Sequence, residues 1–198
     1  MLLFYTQNSP YARIARVAVR EFGLRRQVTE KLARNRAADN PVLTYSPAGR
    51  VPTLVDGDLV LSETRLIYDY LVQKAGKALA PKDWNDLALA GQISSFMDGI
   101  CLWVRERYRP EEQQSPFLFD VEAQRADRSL AFLQAHATQN TLPALPTYDA
   151  LTLVCALDLM QHRSLCPGWA TTYPDLQKWA LGALAQKALQ DTTPGPAS

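Results

Sequence analysis

Three short stretches of this chain place reactive or ligand-holding residues at the start of a helix or a strand. Ser9-Pro10 follows the apolar run Leu2-Leu3-Phe4-Tyr5 and precedes a segment with helical spacing. Serine is a preferred N-cap, and proline suits the first helical position because its missing N–H would be unpaired there anyway. A helix N-terminus offers unpaired N–H groups and the positive end of the macrodipole, so an anion beside Ser9, a thiolate included, is stabilised. The plainer use of Ser9 is as a cap alone. Val51-Pro52 opens a strand, where proline is unusual. A cis bond costs only about 0.5–1 kcal/mol before proline. Held cis, it would turn the Val51 N–H and C=O outward to pair with an extended, peptide-like ligand. An ordinary trans proline at a strand start is the alternative. Ser62-Glu63-Thr64 stands at a second helix start. A hydroxyl with free N–H groups binds a carboxylate and a neighbouring glutamate holds an ammonium, a match for an α-amino-acid head group. Alone, the triplet is also a commonplace helix start.

The elements that must carry these residues follow from periodicity and punctuation. Leu2–Tyr5 reads as a buried strand. Ala12, Ala15, Ala18, Val19 and Phe22 give the next segment a helical apolar face, and Gly23 stops it. Residues 27–32 read as a second strand, parallel to the first if the helix is a crossover. Residues 33–50, with Asn, Pro, Ser and Gly, read as an irregular connector. Val51–Val55 and Leu59–Leu61 flank Asp56-Gly57-Asp58, a strong hairpin signal. Ser62 is the expected cap of a helix whose apolar positions are Leu66, Ile67, Tyr70 and Leu71. Beyond Ala78-Leu79-Ala80-Pro81 every segment is helical: Leu89 to Val104 with a stop at Pro110, then Val121–Ala135, Leu151–Met160 and Leu176–Leu189. Residues 192–198 read as a loose tail.

Composition narrows the chemistry. The chain has 198 residues, 47% hydrophobic and 21% charged, enough to bury a core without disulfides or metal. Twenty-one Lys and Arg nearly cancel 20 Asp and Glu, which argues against a dedicated nucleic-acid binder. Residues 1–77 carry 12 basic against 7 acidic side chains and residues 78–198 carry 9 against 13. A basic first unit favours a small anionic ligand, or the two halves are electrostatically complementary. The three cysteines, Cys101, Cys155 and Cys166, form no CxxC, and two histidines leave little for a metal centre, so no metal is expected. Neither GxGxxG nor GxxxxGK[S/T] nor GxSxG occurs. With no basic-then-apolar leader and no long apolar run, the expectation is a cytoplasmic chain without a membrane span.

The strand, helix and hairpin order, together with Ser9-Pro10-Tyr11-Ala12-Arg13, Ser46-Pro47-Ala48-Gly49-Arg50-Val51-Pro52-Thr53-Leu54 and Ser62-Glu63-Thr64-Arg65-Leu66-Ile67-Tyr68-Asp69-Tyr70-Leu71, resembles the cytosolic glutathione S-transferase family. Arg105-Glu106, Arg109-Pro110 to Gln113-Gln114-Ser115 and Asp127-Arg128-Ser129-Leu130 are similar to an uncharacterised bacterial branch of it. The resemblance implies an α/β plus all-α chain: a thioredoxin-like domain over 1–77 (β-α-β-α-β-β-α), a linker over 78–85, and a helical bundle over 86–198. It implies glutathione as co-substrate and an electrophilic small molecule as partner. Ser9 would hydrogen-bond the glutathione sulfur as in serine-type members, with Tyr5 and Asn8 as alternative donors. Val51 would pair with the cysteinyl unit, with Pro52 as the structural cis proline. Glu63 and Thr64 would hold the γ-glutamyl head group, Arg50 the glycine carboxylate, and Arg13 would anchor or steer. Tyr11, Trp103, Arg105 and Tyr108 would line the electrophile pocket, although Trp103 is also readable as core and Arg105 as a solvated charge.

The absence of an N-terminal cysteine argues against the disulfide-exchanging and dehydroascorbate-reducing branches. In the second domain, Thr147-Tyr148-Asp149-Ala150 places alanine where the family often has a capping aspartate. A homodimer is implied as well. Other glutathione-dependent chemistry (lyase, isomerase or peroxidase) and a non-catalytic partner-binding or stress-response role on the same scaffold stay open.

Overall fold

The computed structural model describes residues 1–34, 37–79 and 81–195. The expected connector, linker and tail therefore lie partly outside the described residues, at 35–36, 80 and 196–198. Contacts divide the described residues into two units, one of residues 1–34, 37–79 and 81 with 187–195 and one of residues 82–186. The expected boundaries near 77 and 86 left the 187–195 segment in the helical unit; its contacts are with the first.

The first unit is a thioredoxin-like α/β unit built on a four-stranded mixed sheet of order β2-β1-β3-β4. Strand β1 (Leu2–Tyr5) runs parallel to β2 (Thr29–Leu32) and antiparallel to β3 (Thr53–Asp56), which pairs with β4 (Leu59–Ser62). Strand β2 starts two residues later than the sequence suggests, because the Gln27 and Val28 amides both bond to the Leu24 carbonyl and keep the chain in a turn. In the β3–β4 hairpin Asp56 pairs with Leu59, and Gly57 supplies the positive φ of +61°. The connector holds a 3₁₀ turn, Pro41–Thr44, where the family outline expected a helix.

Helix α1 (Pro10–Glu21) crosses from β1 to β2 and is buried on almost every side, from Pro10 to Val19 apart from Tyr11. Gly23, at φ +70°, ends it with the Leu24 N–H bonded back to the Val19 carbonyl. Helix α2 (Thr64–Lys74) packs on α1 and on β3 and β4. Its buried stripe is Ile67, Tyr68, Leu71 and Val72, rotated from the expected one: Leu66 is 55% exposed, and Tyr68 meets Phe22 edge-on at 5.6 Å. Ser62 closes β4 and does not cap α2; the residue at the cap position is Glu63.

The second unit is helical: α3 (Trp84–Arg107), α4 (Pro116–Thr138), α5 (Tyr148–His162), α6 (Trp169–Thr172) and α7 (Pro174–Leu184). Helix α5 is its core, buried from Asp149 to Met160. Thr147 caps α5 through the Ala150 N–H, so the alanine there costs only the reciprocal half of a capping box. Asp149 is ion-paired with Lys82. Contrary to the expectation of no long apolar run, α3 contains an 18-residue window of mean hydropathy 1.4, long and apolar enough by composition to cross a membrane. Its Ile93, Phe96, Met97, Ile100, Cys101 and Val104 are buried, and the helix packs on α4 and α5. The expected helix 176–189 is two, α7 and the short α8 (Lys187–Gln190), and the expected loose tail starts with a buried residue, Thr192, 1% exposed.

Candidate functional site

The sheet register brings the three motifs to one end of the first unit. Phe4 pairs with Thr53, and Thr53 pairs with Ser62. The end at which β1 stops is therefore the end at which β3 starts and β4 stops. The turn leading to Ser9 leaves from the first point, Val51-Pro52 enters at the second, and Glu63-Thr64 leaves from the third.

A turn closed by the Ser9 N–H on the Thr6 carbonyl (3.3 Å) delivers Ser9. Half-buried Ser9 has the extended backbone of an N-cap, φ −83° and ψ 114°, and its Oγ accepts from the Ala12 N–H at 3.1 Å. A hydroxyl has two acceptor lone pairs and one donor proton, so this bond leaves the proton of Ser9 able to donate. The capping and donor readings of Ser9 are thus compatible. Asn8 is the third residue of the same turn, half-buried. The Tyr5 ring lies under the Arg16 guanidinium, 4.1 Å from its carbon. Arg16 and Arg20 both bond Glu30 on β2. Burial alone would raise the Glu30 carboxyl, but the bonds from Arg20 and Arg16 outweigh it and hold it below the usual glutamate range.

The Val51–Pro52 bond is cis. Val51 is half-buried against Phe4, Ala33 and Val42, precedes the ladder, and takes part in none of the backbone hydrogen bonds of the described residues. The loop that brings it there is fixed by Asn40, a residue the sequence analysis did not single out. Asn40 is buried; its Nδ2 donates to the Gly49 carbonyl at 2.7 Å and its Oδ1 accepts from the Val42 N–H at 3.2 Å. The Asn40-Pro41 dipeptide is the turn signal that could have pointed to it. Arg50 has an exposed side chain, while its carbonyl accepts from Thr53 Oγ1 at 2.8 Å.

Glu63 sits at φ +92°, ψ 116°, an unfavourable backbone for a residue with a Cβ. No side chain caps α2, and the Glu63 carboxylate is exposed. Thr64 is buried at the first helical position.

Arg13 is not a surface anchor. Its side chain is 3% exposed, donating from Nη2 to the Leu189 carbonyl (3.0 Å) and from Nε to Thr192 Oγ1 (3.4 Å). Tyr11 is half-buried in the first turn of α1. In the helical unit, Trp103 is half-buried on α3, with an indole N–H that is buried and meets no acceptor among the described residues. Arg105 and Tyr108 are exposed at the end of that helix. Among the described residues no three His, Cys, Asp or Glu gather into a group that could hold a metal ion.

A β-α-β crossover continued by a hairpin and a second helix, with a cis proline entering the third strand, and followed by a helical unit, defines the glutathione-transferase class of fold. Residues 3–79 match the family model of the glutathione S-transferase N-terminal domain. Over 98% of both chains the protein is 27% identical to the uncharacterised GST-like protein YibF of Escherichia coli K12. A glutathione transferase family member from Pseudomonas fluorescens Pf-5, solved with bound glutathione, is 26% identical over 98% of each chain with a TM-score of 0.84. A structure of a family member from the same organism, with bound S-(propanoic acid)-glutathione, gives 27% identity over 98% of this chain and 100% of that one, with a TM-score of 0.81. Residues 3–79 thus carry the N-terminal domain of glutathione S-transferases, and the chain as a whole is similar in sequence and fold to members of that family.

Proposed function

We propose that this protein binds glutathione at the common end of β1, β3 and β4 and activates its thiol for attack on an electrophilic small molecule. The observation that carries the reading is Ser9: its Oγ is held by the Ala12 N–H while its proton stays available, at the N-terminus of a buried helix. The bound thiol, with pKa about 8.5 when free, would be lowered by that proton and by the helix N-terminus. The reacting sulfur belongs to glutathione, so the protein supplies position and charge stabilisation and forms no covalent bond of its own.

The other residues divide the tripeptide among them. The Val51 backbone, outside the ladder, pairs with the cysteinyl unit. The exposed Glu63 carboxylate takes the α-ammonium of the γ-glutamyl group, and the uncapped start of α2 at Thr64 takes its carboxylate. Exposed Arg50 holds the glycine carboxylate. Tyr5, stacked under Arg16, and Asn8, within the turn, are the alternative donors to sulfur. The glutathione-bound structures it resembles support the ligand, and the likeness to glutathione transferases supports a homodimer and an electrophile as second substrate, with Tyr11, Trp103, Arg105 and Tyr108 as the residues to probe for it.

The test is calorimetry of glutathione binding, with thiolate absorbance followed against pH, on the native protein and on Ser9→Ala. A lowered thiol pKa that returns toward the free value in Ser9→Ala supports the reading. An unchanged pKa in Ser9→Ala moves the donor role to Tyr5 or Asn8. No binding at millimolar glutathione overturns the reading and favours a partner-binding role for the scaffold.

A further inference from the structure

The segment 187–195 is far from the first unit in sequence and part of it in space. Arg13 is the buried residue that bonds it there. Two acceptors that α8 and its following turn present converge on the Arg13 guanidinium: the Leu189 carbonyl and the Thr192 hydroxyl. Thr192 is itself fixed, its hydroxyl bonded to the Ala188 carbonyl at 2.9 Å. The segment then runs to Gly195, which lies so close to Gln7 that a Cβ there would come within 2.8 Å of Gln7 Cδ. Besides a loose ion pair between Asp191 and Arg25 at 3.8 Å, it therefore touches both the turn that precedes Ser9 and the first turn of α1 that follows it.

Arg13 also holds Ser9 directly. Its backbone N–H donates to the Ser9 carbonyl at 3.0 Å, the first hydrogen bond of α1. One residue thus binds the 187–192 segment with its side chain and Ser9 with its backbone. Burying a guanidinium is costly unless its donors are satisfied. Arg13 is 3% exposed, so the bonds to Leu189 and Thr192 bear on where the first turn of α1 settles.

We propose that Arg13 is a positioning residue: clamped by the 187–192 segment, it fixes the first turn of α1 and so the direction in which Ser9 presents its proton. The inference rests on the donor role proposed for Ser9, but the clamp has a readout that needs no glutathione. The Ala12 amide, held by Ser9 Oγ, and the residue-13 amide, held by the Ser9 carbonyl, report the Ser9 turn through hydrogen exchange in the ligand-free protein.

The experiment compares native protein with Thr192→Val, Arg13→Lys and Arg13→Met. Thr192→Val nearly keeps the volume and removes an acceptor of Arg13 together with the hydroxyl that anchors the segment to the Ala188 carbonyl, so it tests the clamp even if Arg13→Met does not fold. In Thr192→Val the two amides should exchange at least about tenfold faster relative to the amides of α2, the factor that losing one charge-assisted hydrogen bond amounts to. Arg13→Lys, which keeps one donor for the Leu189 carbonyl, should lie between native and Arg13→Met. With glutathione present, the bound thiol pKa should rise and turnover fall while the glutathione Kd stays within about twofold, because the Val51 and Glu63 contacts lie on other elements. Unchanged exchange at both amides in Thr192→Val overturns the proposal, as does acceleration shared equally by α1 and α2. Faster exchange with an unaltered thiol pKa overturns the link to Ser9 chemistry. If native protein does not bind glutathione, the proposed function fails and the exchange arm alone decides the clamp.

Discussion

The two helices that start at the candidate site begin in opposite ways. Helix α1 opens on a serine in an ordinary extended conformation, with its cap bond made and a proline behind it. Helix α2 opens on a glutamate forced to φ +92°, with no side chain capping it. On the proposed function the first start serves stability and chemistry with the same atom, since Ser9 Oγ accepts from Ala12 and still has a proton to donate. At the second start the two demands conflict. A capping residue would stabilise α2 but, on the proposed function, occupy the N-terminus meant for the ligand carboxylate, and the strained backbone of Glu63 would then serve to place its side chain. Local strain of this kind, of order 1–3 kcal/mol, is found where function over-determines a position.

The comparison is sharpened most by Ser9→Ala. Both properties of α1 should fall together: turnover by about a hundredfold, as when one preorganised donor to a developing anion is removed, and stability by about 1 kcal/mol, as for a lost N-cap. Steady-state kinetics and urea unfolding on one preparation check it. Loss of only one property would mean that the cap and the donor are different groups.

At α2 the same pair of measurements should move in opposite directions. Glu63→Gly relieves the positive φ and should raise stability by about 1 kcal/mol. It should also weaken glutathione binding about tenfold, since a hydrogen bond to a charged group is lost. If Glu63→Gly lowers both stability and affinity, the strain account of this start is wrong.

A smaller effect concerns how each helix is tied to the sheet. Glu30 joins α1 to β2 through Arg16 and Arg20, and its pKa is depressed by those bonds despite its burial. A carboxylate depressed in the folded state contributes stability that is present above its ordinary value of 4.5 and lost as the pH falls through the folded value. Melting temperature against pH should therefore fall less steeply below that value in Glu30→Gln than in native protein, and the Glu30→Gln protein should be the less stable one near neutrality.

The smallest effect is at the tie of α2. Asp56 bonds Lys74 at 2.8 Å and Tyr70 at 2.7 Å, and these bonds hold its carboxyl below the usual aspartate range. The pair is solvent-exposed, and such pairs contribute little. Lys74→Ala should leave the melting temperature nearly unchanged; a clear drop would make the anchoring of α2 as strong as that of α1.

Local punctuation made much of this molecule legible. Ser9-Pro10, Gly23 and Asp56-Gly57 each act within a few residues, and each marks the element boundary or turn that the sequence suggested. The meeting of three motifs at one end of the sheet followed from the family resemblance, and the strand register gives its geometry. What stayed hidden depends on distant partners. Nothing near Arg13 in sequence reveals that its side chain bonds a carbonyl 176 residues away. The buried stripe of α2 differs from the expected one because Ile67, Tyr68, Leu71 and Val72 satisfy the helical period as well as Leu66, Ile67, Tyr70 and Leu71, and it is packing on α1, β3 and β4, with Tyr68 against Phe22, that separates them. The strain at Glu63 was equally hidden, since glutamate carries no signal for a positive φ.

Helix α3 has a consequence for how this protein is made. Synthesis runs from the N-terminus, so residues 84–107, whose apolar window is the most membrane-like among the described residues, emerge before α4 and α5, against which the buried stripe Ile93, Phe96, Met97, Ile100, Cys101 and Val104 packs. Until residue 138 has left the ribosome the nascent chain carries that stripe without its first cover, and until residue 162 without its second. Fragments that stop between these points should need a chaperone or collect in inclusion bodies, whereas the full chain buries the stripe within itself.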